Sequence, residues 1–379
     1  MTEIIVGGDI CPINRSIPYF QEGDAVSIFG DLLETLQNSD LAIANLECPL
    51  IERQSPINKS GPVLGVDSAC VKALSSAGIN VLNLANNHIL DHGPDGLENT
   101  LSVCGEAGIS TVGAGRNLSE AGRILVRKVG NIRIGILGIA DHEFSIAGPD
   151  SFGANPIDVI DFVRTVRDQR DTYDYLLVLL HGGNEGYPFP SPSLQKVCRF
   201  LVEEGANAVI CQHSHIAGCY EKYRDGFIVY GQGNLVFDYP NQARHWHEGF
   251  LVRLTVNDDL SSDMTIVPFF QFADRIGVRF MTANEEKDFR RDLQERCRLL
   301  ENSDYVEQSW ISFCESRRNN YLSKLLGHNR LFRHLNRRGH LVKYMYTKKS
   351  LTALHNIIRC EAHKNVVLTI LDREFQKTS

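Results

Sequence analysis

The sequence contains no run of about 18 apolar residues, so no membrane-spanning helix is expected. Nor does it open on a basic stretch followed by an apolar core, which argues against a secretory leader. Its ten cysteines are scattered singly, without a C-x-x-C pair. In a chain without an export signal they read as free thiols in a reducing compartment rather than as disulfides. Together these absences make the cytoplasm the expected location. No internal repeat or low-complexity tract is found. Gly113 and Gly115 lack the lysine and the spacing of a phosphate-binding loop.

What is present is the composition of a globular protein. The 379 residues suggest roughly two domains, with hydrophobic residues at 43% and charged residues at 22%. The net charge of -7 is unevenly spread. Residues 281–379 hold 19 Lys and Arg against 12 Asp and Glu, and residues 1–280 hold 20 against 34. The change of sign suggests two structural units, expected at 1–283 and 284–379.

Through residue 256 short β-rich runs alternate with helical patterns. Strands are expected over 3–6, 41–44, 79–84, 133–139, 175–180, 208–211, 227–230 and 250–256. Helices are expected over 71–77, 96–107, 158–170 and 193–204. This alternation indicates an α/β fold. From about Asn284 the texture changes. Phe289, Leu293, Cys297 and Leu300 recur at helical spacing, with Asn284 as the expected cap and Glu285 and Glu286 in the first turn. Residues 311–350 carry ten basic side chains and one acid, Glu315. The segment 284–379 is therefore read as a basic helical appendage.

Polar clusters fall just past the ends of the expected strands, the edge where ligand sites collect in α/β folds. They supply Asp9, Glu47, Asn87, His88, His181, Glu185, His213 and His215. Carboxylates, neutral imidazoles and an amide oxygen are the donors that a dinuclear hydrolase site needs, and histidine suits zinc, iron and manganese. Taken alone, Asp9 is more readily a cap or loop residue. His213 and His215, two apart, can send both rings towards one region in an extended turn, though many surface loops hold two histidines. The inference rests on five separate clusters agreeing.

In order along the chain stand GGD (7–9), NLECPL (45–50), NLANNHILDHGPDGL (83–97), GISTVGAG (108–115), HGGNEGYPFPSP (181–192), QHSHIAGCYEKY (212–223) and GQGNLVFD (231–238). In these stretches, over roughly residues 3–255, the chain resembles the CapA family, linked to capsular poly-γ-glutamate synthesis. The fold of that family is similar to calcineurin-like metallophosphoesterases. The resemblance implies an α/β/β/α sandwich with a C-terminal helical extension, and two divalent ions, manganese, iron or zinc. It implies Asp9, Glu47, Asn87, His181, His213 and His215 as metal ligands, with Glu47 shared. It implies His88 as acid or transition-state donor and Asp91 as its orienting partner, a helix cap being the other reading of Asp91. Glu185 matches the family pattern and joins the catalytic candidates.

Pocket candidates are Cys11, Asn45, Asn86, Asp141, His142 and Asn234. Cys11 stands where phosphoesterases carry a histidine, and reads either as a thiolate ligand or as a buried thiol. Gly182 stands in place of a frequent Trp, and Gln212 in place of a frequent Gly. Family members are often membrane-anchored, and no anchor is seen here.

The implied function is a metal-dependent hydrolase that activates a metal-bound water against a phosphoester or amide bond, on a polyglutamate-type or related anionic substrate. A different class remains open: a non-catalytic accessory of a polymer or natural-product pathway, or a pathway-specific amide-processing enzyme. Small-molecule or anionic-polymer partners are expected and nucleic acid is not. The basic 311–350 segment suits an acidic partner, and equally a solvated helical face.

Overall fold

The computed structural model describes residues 1–239, 243–325 and 346–359, with His334, Asn336, His363, Val367 and Leu371. The first sheet begins with β1 (Thr2–Cys11), β2 (Leu41–Leu46), β3 (Val81–Asn83) and β4 (Ser110–Val112), all parallel. The chain then builds a second sheet from β5 (Leu125–Val129), β6 (Ile132–Ala140), β7 (Tyr175–His181), β8 (Ala208–Gln212), β9 (Tyr220–Tyr223) and β10 (Gly226–Tyr230). Finally β11 (Asn234–Phe237), β12 (Glu248–Val256), β13 (Ser262–Gln271) and β14 (Val278–Phe280) return to the first sheet. The strand orders are β14-β13-β12-β1-β2-β3-β4, with β11 also on β1, and β9-β10-β8-β7-β6-β5.

Strand alternation sorts the side chains into layers. Ile4, Val6 and Ile43 of the first sheet meet Ile134, Leu177 and Ile210 of the second in one core. Ile5, Ala42 and Leu82 face the other way and bury Phe20, Phe29 and Leu74 from helices outside the first sheet. Helix α1 (Gly93–Glu106) joins this outer layer through Leu97 and Cys104. On the far side lie α2 (Val159–Gln169) and α3 (Pro192–Glu203), whose Phe162, Val166, Cys198 and Leu201 are buried. The expected α/β/β/α layering is present. Asp158 caps α2 by accepting from the Ile160 and Asp161 amides, and Ser191 caps α3.

The expected unit boundary at 283/284 is displaced. The first compact unit runs from Met1 to Glu307 and the second from Gln308 to Ser379. Helix α4 (Ala283–Leu300) belongs to the first, because Phe289 and Leu293 enter the intersheet core and Phe289 packs edge-on against Phe250 at 6.2 Å. Its cap is Thr282 rather than Asn284: Glu285 N–H donates to the Thr282 hydroxyl and the Thr282 amide donates to Glu285. Charge counting missed this because α4 mixes acids and arginines evenly along its surface and hides only Phe289, Leu293 and Leu300. Phe289→Ala is expected to cost about 3–5 kcal/mol in urea unfolding of the full chain, and an unchanged midpoint would detach α4 from the core. Helix α5 (Ser303–Leu325) carries the start of the basic run. Most of the remainder of 311–350 lies outside the described residues. No helix among the described residues is long and apolar enough to cross a membrane.

Candidate metal centre

The parallel strands of both sheets end at one rim, and the polar residues converge there. Asp9 and Asn45 are strand residues, paired across β1 and β2, rather than residues past strand ends. His181 closes β7 and lies in register with Gln212 of β8 and Ala140 of β6. The loop after β8 then carries His213 and His215. Both adopt positive φ, 101° and 57°, unusual for residues with a Cβ. The expected extended turn is thus a left-handed one, and it sets the two rings 5.9 Å apart. The His213 amide donates to Asp9 Oδ2 at 3.1 Å, which ties the loop to β1. A Cβ on Gly8 would lie 2.0 Å from the Gly233 carbonyl oxygen, so only glycine fits.

Two groups of buried donors form, and Glu47 belongs to both. Glu47, His181 and His213 make one, and Asp9, Glu47 and His215 the other, each with its ligand atoms within 4.8 Å of one another. His181 Nε2 lies 3.5 Å from Glu47 Oε1 and 3.1 Å from Asn87 Oδ1, which brings the amide oxygen to the first group. His215 Nε2 is 3.8 Å from Glu47 Oε1. Cys11 belongs to neither group.

The electrostatics fit a bound cation. Glu47 Oε2 and His213 Nδ1 are buried without a hydrogen-bond partner, a costly arrangement unless something else satisfies them. Burial, with the charges of Asp9 and Glu185 added, pushes the Glu47 carboxyl well above the usual range. Burial also raises Asp9. Burial and the neighbouring imidazoles push His213 down to about 3 and hold His181 well below its ordinary value. Both rings are therefore neutral at physiological pH and offer lone pairs without first losing a proton. Cationic charge placed among them would lower the carboxyls again.

Outer residues orient these donors. Asn234 Oδ1 lies 2.9 Å from His215 Nδ1, and its Nδ2 donates to the His215 carbonyl. With Nδ1 donating, Nε2 keeps the lone pair. Asn234→Ala is expected to weaken metal binding about 10- to 100-fold, read by competition with a chelating dye. An unchanged affinity would separate Asn234 from the site. Asn45 donates to Asp9 Oδ1 at 2.8 Å and accepts from Asn83 and Asn86. Gln212 ties this network to the Gly7 carbonyl, which accounts for an amide at that position.

His88 is buried beside the cluster, within electrostatic reach of Asp9, His181 and His213. Its Nδ1 lies 2.7 Å from Asp91 Oδ2. Asp91 is not a helix cap: α1 begins after His92, and the carboxylate also takes the Leu64 amide at 2.6 Å. Its other oxygen meets Lys59 Nζ at 2.5 Å, with both side chains nearly fully buried. Lys59 also donates to the Asn87 carbonyl. It was invisible in sequence, being a lone lysine in a polar loop. Lys59→Met removes the ammonium from buried Asp91, which keeps only His88 and the Leu64 amide, and is expected to destabilise the chain by about 3–5 kcal/mol, read by urea unfolding.

The remaining candidates lie at the rim or outside the cluster. Glu185 and His142 are exposed, and Asp141, also exposed, accepts from the Gly183 amide. Glu143 meets Asn87 Nδ2 at 3.3 Å. Cys11 is a buried thiol whose pKa burial and neighbouring Cys48 drive well up, which suits the structural reading rather than a thiolate. The nine cysteines among the described residues are free thiols. Sequence reading also passed over Trp246 and Phe237 as walls of the site; their rings stand 4.9 and 5.2 Å from that of His215. His247 is buried, its ring 5.9 Å from that of Phe270.

The family model described as "Bacterial capsule synthesis protein PGA_cap" matches residues 3–239. The chain belongs to this family. Among its curated relatives, the capsule biosynthesis protein CapA of Bacillus anthracis is 30% identical over 255 residues, 64% of this chain and 60% of that protein. A probable polyglutamine synthesis accessory protein of Mycobacterium tuberculosis is 32% identical over 259 residues, 62% of this chain and 67% of its own length. A hypothetical protein from Thermus thermophilus superposes with a TM-score of 0.45 at 12% identity, covering 71% of this chain and 99% of its own. Family membership rests on the segment that holds Asp9, Glu47, Asn87, His88, Asp91, His181, His213, His215 and Asn234. The match spans about 60% of the length of the B. anthracis relative.

Proposed function

We propose that this member of the capsule synthesis family is a metal-dependent hydrolase of a phosphoester or amide bond in an anionic substrate. The observation that carries the reading is the sharing of buried Glu47 between two imidazole-carboxylate groups, with its Oε2 and His213 Nδ1 unsatisfied. Glu47, His181, His213 and Asn87 would hold one divalent ion, manganese, iron or zinc, and Asp9, Glu47 and His215 a second. Bound there, such ions supply Lewis acidity and lower the pKa of coordinated water.

The protein's own part is positioning and proton handling. Asp91 fixes the His88 ring through Nδ1 and leaves Nε2 for the leaving group. Asn45 and Asn234 hold Asp9 and His215 in place before substrate arrives. Exposed Glu185, Asp141 and His142 edge the approach. The relatives' names speak of capsule and polyglutamine synthesis, which makes a polyglutamate-type substrate the first to test. The experiment is metal-reconstituted protein against matched phosphoester and amide panels that include γ-glutamyl oligomers. Metal-dependent turnover of one panel supports the reading. No turnover of either, with the ions bound, favours an accessory role.

A further inference from the structure

Beside the metal centre, and within the same compact unit, lies a cavity of about 260 Å³ whose walls the reaction above does not use. Three links place it next to the site. Its wall residue Ile216 directly follows His215. Gly186 follows Glu185, and its amide donates to the Ser214 carbonyl at 2.9 Å. His245 precedes Trp246, whose ring packs on His215.

The charges lining the cavity are matched, with one exception. Glu248 takes Arg244 Nε at 2.5 Å and has His245 Nδ1 at 3.5 Å. Asp292 is paired with Arg291 at 3.0 Å. Arg296, from α4, is different. Its Nε donates to the Gly218 carbonyl at 2.9 Å, and among the described residues it forms no ion pair. Burial lowers its pKa, and the charges of Asp292 and Glu248 act the other way without forming an ion pair with it. A guanidinium anchored through Nε presents its two terminal nitrogens as a fork, the geometry that takes a carboxylate or phosphate through two parallel hydrogen bonds. Phe289 and Ile216 give the cavity an apolar side for the stem that carries the anion.

We propose that this cavity is a subsite for an oxyanion of the substrate, carboxylate or phosphate, held by Arg296 next to the bond presented to the metal centre. The proposal rests on the hydrolase reading for its role, and on the cavity alone for its binding. Arg296 and Phe289 lie beyond the segment that the family model matches, so the preference set here is supplied by α4.

The test is calorimetric titration of the full chain with glutarate and, separately, inorganic phosphate, in metal-free and metal-loaded protein. Wild-type metal-free protein is expected to bind at least one of the two. Arg296→Ala should weaken that binding about tenfold or more, while Arg296→Lys retains part of it and both keep the wild-type metal content. Preference for glutarate identifies a carboxylate, and preference for phosphate a phosphoryl group. No binding by metal-free wild type, or equal affinity in wild type and Arg296→Lys and Arg296→Ala, overturns the proposal. If Arg296→Ala does not fold, protection of Arg296 from a guanidine-modifying dicarbonyl by the same anions decides, and no protection overturns it. Metal content measured on the same samples judges the hydrolase reading independently.

Discussion

Glu47→Gln is expected to remove metal from the centre and lower turnover on the order of 10³-fold or more, about 4 kcal/mol of barrier. The substitution is almost isosteric, so the effect reads charge and donor quality rather than packing. Glu47 is the one carboxylate that both donor groups share. An amide in its place offers one neutral oxygen and a pair of N–H groups, which cannot serve two cations. Charge balance sharpens the loss: with Glu47 neutral, the centre keeps Asp9 as its buried carboxylate and three imidazoles. Metal-free Glu47→Gln should fold as well as metal-free wild type or better, because burial and Asp9 both oppose ionisation of Glu47. Loss of metal with retained folding therefore separates a ligand from a structural acid. Full metal content and normal turnover in Glu47→Gln would refute the shared-ligand assignment.

His88→Ala should lower turnover about 10²- to 10⁴-fold while leaving metal content intact. His88 is next to Asn87 in sequence, yet its Nδ1 points away from the cluster, to Asp91 at 2.7 Å. A metal ligand and a proton donor differ in this respect, and the two variants should divide accordingly: Glu47→Gln loses metal, His88→Ala keeps it. The deficit in His88→Ala should shrink on substrates with a good leaving group, since such a group needs little protonation. A uniform deficit across leaving groups would point to lost positioning instead.

The α/β class and the cluster motifs were legible because each carries a local signal, and the layering came with the family resemblance. Apolar runs such as 175–180 mark buried strands, and polar residues gather where those runs stop. Asp9 and Asn45 misled only in position: β1 and β2 run further than their apolar portions, since the buried amide network satisfies polar side chains inside the strands. Other features have no local signal. The left-handed backbone at His213 and His215 goes with bonds from distant segments: the His213 amide donates to Asp9 Oδ2, and Asn234 Nδ2 donates to the His215 carbonyl. Lys59 becomes informative only when the loop over residues 52–65 folds its ammonium onto Asp91. Arg296 sits on a helix that looks like part of a basic tail, and joins the first unit through Phe289 and Leu293. Charge sign marked a real change in composition, while apolar burial set the boundary.

Elemental analysis of the full chain purified without chelators tests the central claim most directly. About two equivalents of a transition metal per chain are expected, falling below one in Glu47→Gln. A chain that carries none, and takes up none when manganese, iron or zinc is supplied, would contradict the account.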